Sequence, residues 1–175
     1  MIKTLRTLGL IPVLMLFFAG ALLAQKKQTP LELNDQLVSI TDSLYQKGQR
    51  WGEQFNRSYE NKDFAKLAPY RKDVQNYIEQ QLTAVNTMKD ISGSENFRAA
   101  MINFLKYEKD MVTNHFIPME KLSKSSTDDQ IKAEVEKLTN AAAKEEEALK
   151  AVNMAQDAYA AKNNFSIEPE KSDDK

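Results

Sequence analysis

The chain has 175 residues, with 5 Gly, 5 Pro, no Cys, 42% hydrophobic and 28% charged residues, the balance of one ordinary globular domain rather than of a disordered or collagenous chain. The missing Cys removes thiol nucleophiles, CxxC redox pairs, Cys-ligated zinc and iron–sulfur clusters. A formal charge of -1 leaves no basic excess to counter a phosphate backbone, so nucleic acid is not an expected partner.

Residues 1–24 read as a secretory signal. Lys3 and Arg6 precede an apolar run from Leu8 to Phe18, and small residues follow at Ala19, Gly20, Ala21 and Ala24. Cleavage is expected after Ala21 or after Ala24, before Gln25; the alternative is an uncleaved anchor, at the short limit for a membrane span. Losing Lys3 and Arg6 leaves 22 basic residues against 25 acidic ones, a mildly acidic product. An exported chain without Cys fits a bacterial envelope, periplasmic or secreted, better than a disulfide-stapled secretion.

A spacer, 25–29, leads into the first of four predicted helices. Thr29-Pro30-Leu31-Glu32 supplies a cap, Pro at the first helical position and the Glu of a capping box. Leu33, Leu37, Ile40, Leu44, Gly48, Trp51 and Phe55 then recur at steps of three and four, and the helix is expected to run to about Asn61. Phe64 to Ala68 reads as a turn, with the second helix starting near Pro69 and carrying Leu67, Tyr70, Val74, Tyr77 or Ile78, Leu82, Val85 and Met88. Asp90 to Ser94 breaks the pattern, and Ser92 with Glu95 suggests a second capping box. The third helix carries Phe97, Met101, Phe104, Leu105, Met111, Val112, Phe116, Met119 and Leu122, with Pro118 expected to kink it or end it early. Thr127 with Gln130 caps the fourth, whose stripe is Ile131, Val135, Leu138, Ala142, Glu145, Leu149, Val152, Gln156 and Tyr159. Asn163 and Asn164 can close it in the left-handed conformation, leaving 166–175 as a polar, disordered tail. Strand signals are nearly absent, and short linkers force neighbouring helices antiparallel. The fold expectation is an all-α, up-down-up-down four-helix bundle over 30–165, after a signal peptide.

In a bundle, chemistry comes from inward polar side chains. Glu108 falls between Phe104 and Met111, His115 lies seven residues further on, and Glu145 interrupts the fourth stripe. Folding the third helix on the fourth sets Glu108 opposite Ala142 to Glu145, with Tyr77 and Tyr45 or Gly48 near the same level. The candidate ligand-binding residues are therefore Glu108, His115, Glu145 and Tyr77. A di-iron centre needs Glu-x-x-His twice, and this chain has one His without it; haem between His115 and Met111, Met119, Met88 or Met154 competes with Met as core filler. The plainer reading has Glu108 bonded to a Tyr hydroxyl or His115, and Glu145 snorkelling or paired with a Lys. No GxSxG, HExxH, Walker or dinucleotide glycine pattern occurs, so no catalytic residue, metal or cofactor is assigned. Gly48 and Gly52 around Trp51 suggest close helix approach. Lys121, Lys124 and Lys132 cluster near one end, within reach of an anionic surface polymer.

Phe97 to Met101 with Phe104 to Glu108, and the closing Ala155 to Phe165, resemble a family of small bacterial surface proteins and lipoproteins of uncharacterised function. The resemblance implies a signal or lipobox followed by a helical bundle at the cell surface. Leu22-Leu23-Ala24 is followed by Gln25 where the lipidated members carry Cys, so no lipid anchor is expected after cleavage. The functional expectation is a non-enzymatic binding or interaction module for a protein or envelope component. The alternative is a bundle carrying a metal, haem or small apolar molecule near Glu108, His115 and Tyr77.

Overall fold

The computed structural model describes residues 27–167; the signal segment, its cleavage positions Ala21, Ala24 and Gln25, and most of the C-terminal tail lie outside them. The described residues are all-helical, with no strand, and four long helices dominate.

Helix α1 spans Pro30–Asn61. Its start is the expected reciprocal box: the Glu32 N–H donates to Thr29 Oγ1 at 3.2 Å and the Thr29 N–H to Glu32 Oε2 at 2.8 Å. Its end is a left-handed Lys62, φ 52°, whose N–H turns back onto Ser58 and Tyr59 carbonyls. A short 3₁₀ turn, Phe64–Leu67, buries both its terminal residues and leads into α2, Ala68–Thr87, with Pro69 in the first turn, where a missing N–H costs nothing.

The loop before α3, Glu95–Met111, is organised differently from the Ser92–Glu95 box expected. Ser92 sits at φ 53° and caps nothing; Ser94, fully buried, takes the cap position. Asp90 supplies the missing acceptor, drawing the Ser94 N–H to 2.6 Å, the Ser94 hydroxyl to 2.9 Å and the Gly93 N–H to 3.3 Å. Burial alone would raise the Asp90 pKa, but the bonds from Ser94 and Gly93 and the charge of Arg98 outweigh it and hold the carboxyl below its usual range. Gly93 is required here: its φ is +81°, and a Cβ would collide with the Lys162 side chain.

Pro118 neither breaks the third helix nor ends it a turn early. The backbone widens into a π-helical turn, Val112–Phe116, where the Ile117 N–H reaches back to the Val112 carbonyl, and a last α-turn, Ile117–Glu120, follows. The wider turn gives room to the proline ring that would otherwise press on the preceding turn. The final helix, α4, spans Asp128–Asn163 behind the Thr127–Gln130 box and closes at a left-handed Asn164, φ 56°.

The stripes meet in one core of Leu33, Leu37, Trp51, Phe64, Ile78, Phe97, Met101, Leu105, Met119, Ile131, Val152 and Tyr159 with their neighbours. α1 packs on α2, α2 on α3, α3 on α4, and α4 returns to α1. Polar contacts fix the register of each seam. Lys47 reaches Asp73 at 2.8 Å; Arg71 grips Glu120 through Nε at 2.7 Å and Nη2 at 3.2 Å; the Tyr159 hydroxyl donates to the Ile91 carbonyl at 2.9 Å. Between α4 and α1, Gln156 bonds Asn34 at 3.0 Å at one end and Lys62 meets Asp128 at 2.7 Å at the other.

Two expectations, one about α1 and one about α4, fail. A Cβ on Gly48 or Gly52 would meet nothing within 4 Å, so these glycines do not mark close helix approach. Ala142 is exposed and Ala141 takes its place in the core, because α4 is turned toward α3 there. Thr127→Ala is expected to cost about 1 kcal/mol, the usual worth of an N-cap hydroxyl, read as a lower urea midpoint at unchanged slope.

Candidate functional site

Glu108 sits on the buried face of α3, at 6% exposure, between Phe104 and Met111. The α3–α4 register brings the half-buried Glu145 of α4 against it, so the two carboxyl groups meet in a hydrogen bond. The plainer expectation for Glu108 does not hold, since neither a tyrosine nor His115 serves it; Glu145, half-buried, has the acid of Glu108 beside it. Burial first, then the negative charge of Glu145 and the bond to it, pushes Glu108 up to about 9. The geometry agrees. Glu108 Oε1 is enclosed and no N–H or hydroxyl serves it, so an ionised carboxylate there would lack a donor. At neutral pH Glu108 is therefore a neutral acid.

Tyr107 completes this layer, and the stripe reading missed it. Its neighbour Glu108 points inward, so Tyr107 lies about 100° round the helix, off the core stripe and toward α4. The hydroxyl donates to the Ala141 carbonyl at 2.7 Å. Burial, then the negative charges of Glu145, Glu108 and Glu147, hold the phenol above its ordinary value.

The other two candidates go elsewhere. Tyr77 is half-buried in the α1–α2 seam, with Lys47 Nζ 5.2 Å from its ring centroid, and has no part in the carboxyl pair. His115 lies in the π-helical turn, roughly 10 Å along the axis from Glu108 by the ordinary rise per residue. Its Nδ1 is enclosed without a hydrogen-bond partner. The layer of two carboxylates, an imidazole and Tyr77 expected from periodicity is thus a pair of carboxyls with Tyr107.

Beside His115, Phe116 stacks on Trp51 at 3.9 Å between centroids and 7° between planes, and Phe55 stacks on the same indole at 5.6 Å. Met111 and Met119 are buried in the core, whereas Met154 stands 65% exposed on the outer face of α4, so the methionines considered as axial ligands serve packing or solvent. Among the described residues, no three His, Asp or Glu side chains converge. Lys121, Lys124 and Lys132 are all exposed.

The fold and this layer define an all-helical protein with two carboxyl groups, one buried and one half-buried, facing each other between two of its helices. No known family model, curated protein or solved structure matches the chain.

Tyr107→Phe deletes the bond to Ala141 without opening a cavity. Because that carbonyl keeps its place in the helix ladder, the loss is expected to be about 1 kcal/mol in chemical denaturation. The variant should also lack one of the two phenols, Tyr107 and Tyr159, that titrate above the ordinary range in an ultraviolet pH titration.

Proposed function

We propose that the protein is exported by its N-terminal signal and works as a non-enzymatic binding or interaction module in the periplasm or outside the cell. Its architecture in this reading is an antiparallel up-down-up-down bundle. The seam contacts support that topology: Arg71 with Glu120 and Arg98 with the Val85 carbonyl between α2 and α3, Tyr107 with Ala141 between α3 and α4, and Gln156 with Asn34 against Lys62 with Asp128 between α4 and α1. In the α2–α3 and α4–α1 seams an early residue of each helix meets a late residue of the other.

One observation carries the reading. The interior is occupied by side chains, while the accessible space lies outside. The space between α2 and α3 beside Ile78 and Val112 is only about 10 Å³, about the room of a single water. The larger depression, about 470 Å³, is an open one on the polar face of α2 among Asn76, Glu79, Gln80 and Thr83. A carrier of a small apolar molecule needs an enclosed apolar cavity of several hundred cubic ångströms. A protein with a filled core meets its partners on the surface. The layout of residues 1–24, and the resemblance of the third and fourth helices to bacterial surface proteins, support the envelope as the place where it does so.

Native mass spectrometry of the protein from its own envelope tests both parts. The expected species begins after Ala21 or Ala24 and carries no small molecule. A species that retains Met1 in the soluble envelope fraction would overturn export with cleavage, and a stoichiometric haem, metal or lipid would overturn the interaction reading. Tyr45→Ser and Tyr59→Ser, at 69% and 52% exposure, should change stability by no more than about 0.5 kcal/mol, since neither fills the core.

A further inference from the structure

The Glu108–Glu145 contact joins two helices beside the Tyr107–Ala141 hydrogen bond, and it brings together two groups that repel when both are ionised. We propose that it is a proton-dependent latch, which holds α4 on α3 more firmly as the pH falls and loosens that seam as the pH rises.

The geometry supplies the device. Glu108 is 6% exposed and Oε1 has no donor, so an ionised carboxylate there would be enclosed, unserved and in contact with a second acid. With one proton between them, the same two groups make a hydrogen bond that ties the helices together. The charged or titratable groups acting on this layer belong to the two helices it joins: Tyr107 on α3, and Glu145 and Glu147 on α4. None is a cation. The Tyr107 proton is committed to the Ala141 carbonyl. Nothing present can therefore take over when the proton leaves.

The sign follows from linkage. Glu108 holds its proton to about pH 9 when folded and to about 4.5, its ordinary value, when unfolded. Between those limits the folded chain binds the extra proton, so its advantage is full below about 4.5, declines as the pH rises, and levels off above about 9. Asp90 and Asp128 work in the opposite sense. Both are lowered, Asp90 by Ser94 and its neighbours against its own burial and Asp128 by Lys62, so their contributions are lost as pH falls through the acid range. The latch is at its tightest in mildly acid solution, before those two protonate.

The test is urea unfolding of the full chain at a series of pH values between about 5 and 9, beside Glu108→Gln. The amide is neutral at every pH and can still donate to Glu145. The wild-type unfolding constant is expected to rise with pH by up to tenfold per unit, and the variant should lose most of that slope. A variant that follows the wild type across the window overturns the latch. Carbon-13 NMR of the Glu108 carboxyl in the wild-type chain decides the matter even if the variant does not fold. Titration far above the ordinary Glu range, with loss of amide protection over 141–149 ahead of α1 and α2 after correction for intrinsic exchange, supports the latch. Titration near 4.5, or a uniform loss of protection, overturns it.

Discussion

A long helix with one apolar stripe cannot bury that stripe on its own. Each of the four helices here leaves most of its circumference polar, so the stripes of Leu33 to Trp51, Val74 to Val85, Phe97 to Met119 and Ile131 to Tyr159 are protected from water only when all four meet. That shared burial is the constraint from which the rest follows. It sets each helix's rotation, and the rotations decide which polar side chains are carried inward. Asn34, Gln54, Ser58, Ser94 and Glu108 are the buried ones. Most find partners at once: Asn34 takes Gln156, Gln54 donates to Ser58, and Ser94 takes Asp90. Glu108 meets another acid, so this buried carboxyl is satisfied only with a proton.

The termini show how local chemistry lets the stripes reach their partners. Two reciprocal boxes at Thr29 and Thr127 and two left-handed residues at Lys62 and Asn164 stop α1 and α4 where the chain must turn. The third helix faces a harder demand, since Pro118 falls before its stripe is finished. The π-helical turn answers it by shifting the ladder to a longer reach, which keeps Phe116 and Met119 in the core. The same turn sets Phe116 flat against Trp51 and leaves His115 Nδ1 without a partner. A polar group enclosed there is tolerated because the aromatic stack beside it contributes far more through burial than one hydrogen bond costs.

The fold was legible in the sequence because period and punctuation are local properties. Steps of three and four, Thr-x-x-Glu and Thr-x-x-Gln boxes, an early Pro and terminal Asn act through neighbouring residues, so the four helices, the Phe64–Leu67 turn and both outer caps could be read without a partner in view. The candidate layer was legible in part. Counting back from the short linker between the last two helices set Glu108 opposite Ala142 to Glu145, because neighbouring helices joined by a short loop keep register over a few turns. Tyr107 was missed because a stripe records only one face of a helix, and the face it lies on matters only once α4 is seen to roll toward α3.

Glu108, Glu145 and Tyr77 share comparable heights by sequence spacing, with His115 about two turns away, yet height is one of three coordinates. The sequence alone determined that this is a cysteine-free chain of four amphipathic helices with a pair of acids near mid-length on the last two. Only the tertiary structure decided how each helix is turned: that Tyr77 lies beside Lys47, that Gly48 and Gly52 face open space, that Ala141 and not Ala142 is buried, and that Glu108 is pressed against Glu145. The physical reason is that rotation about a helix axis depends on the volumes of the side chains packed across the core. Those volumes come from four distant segments at once.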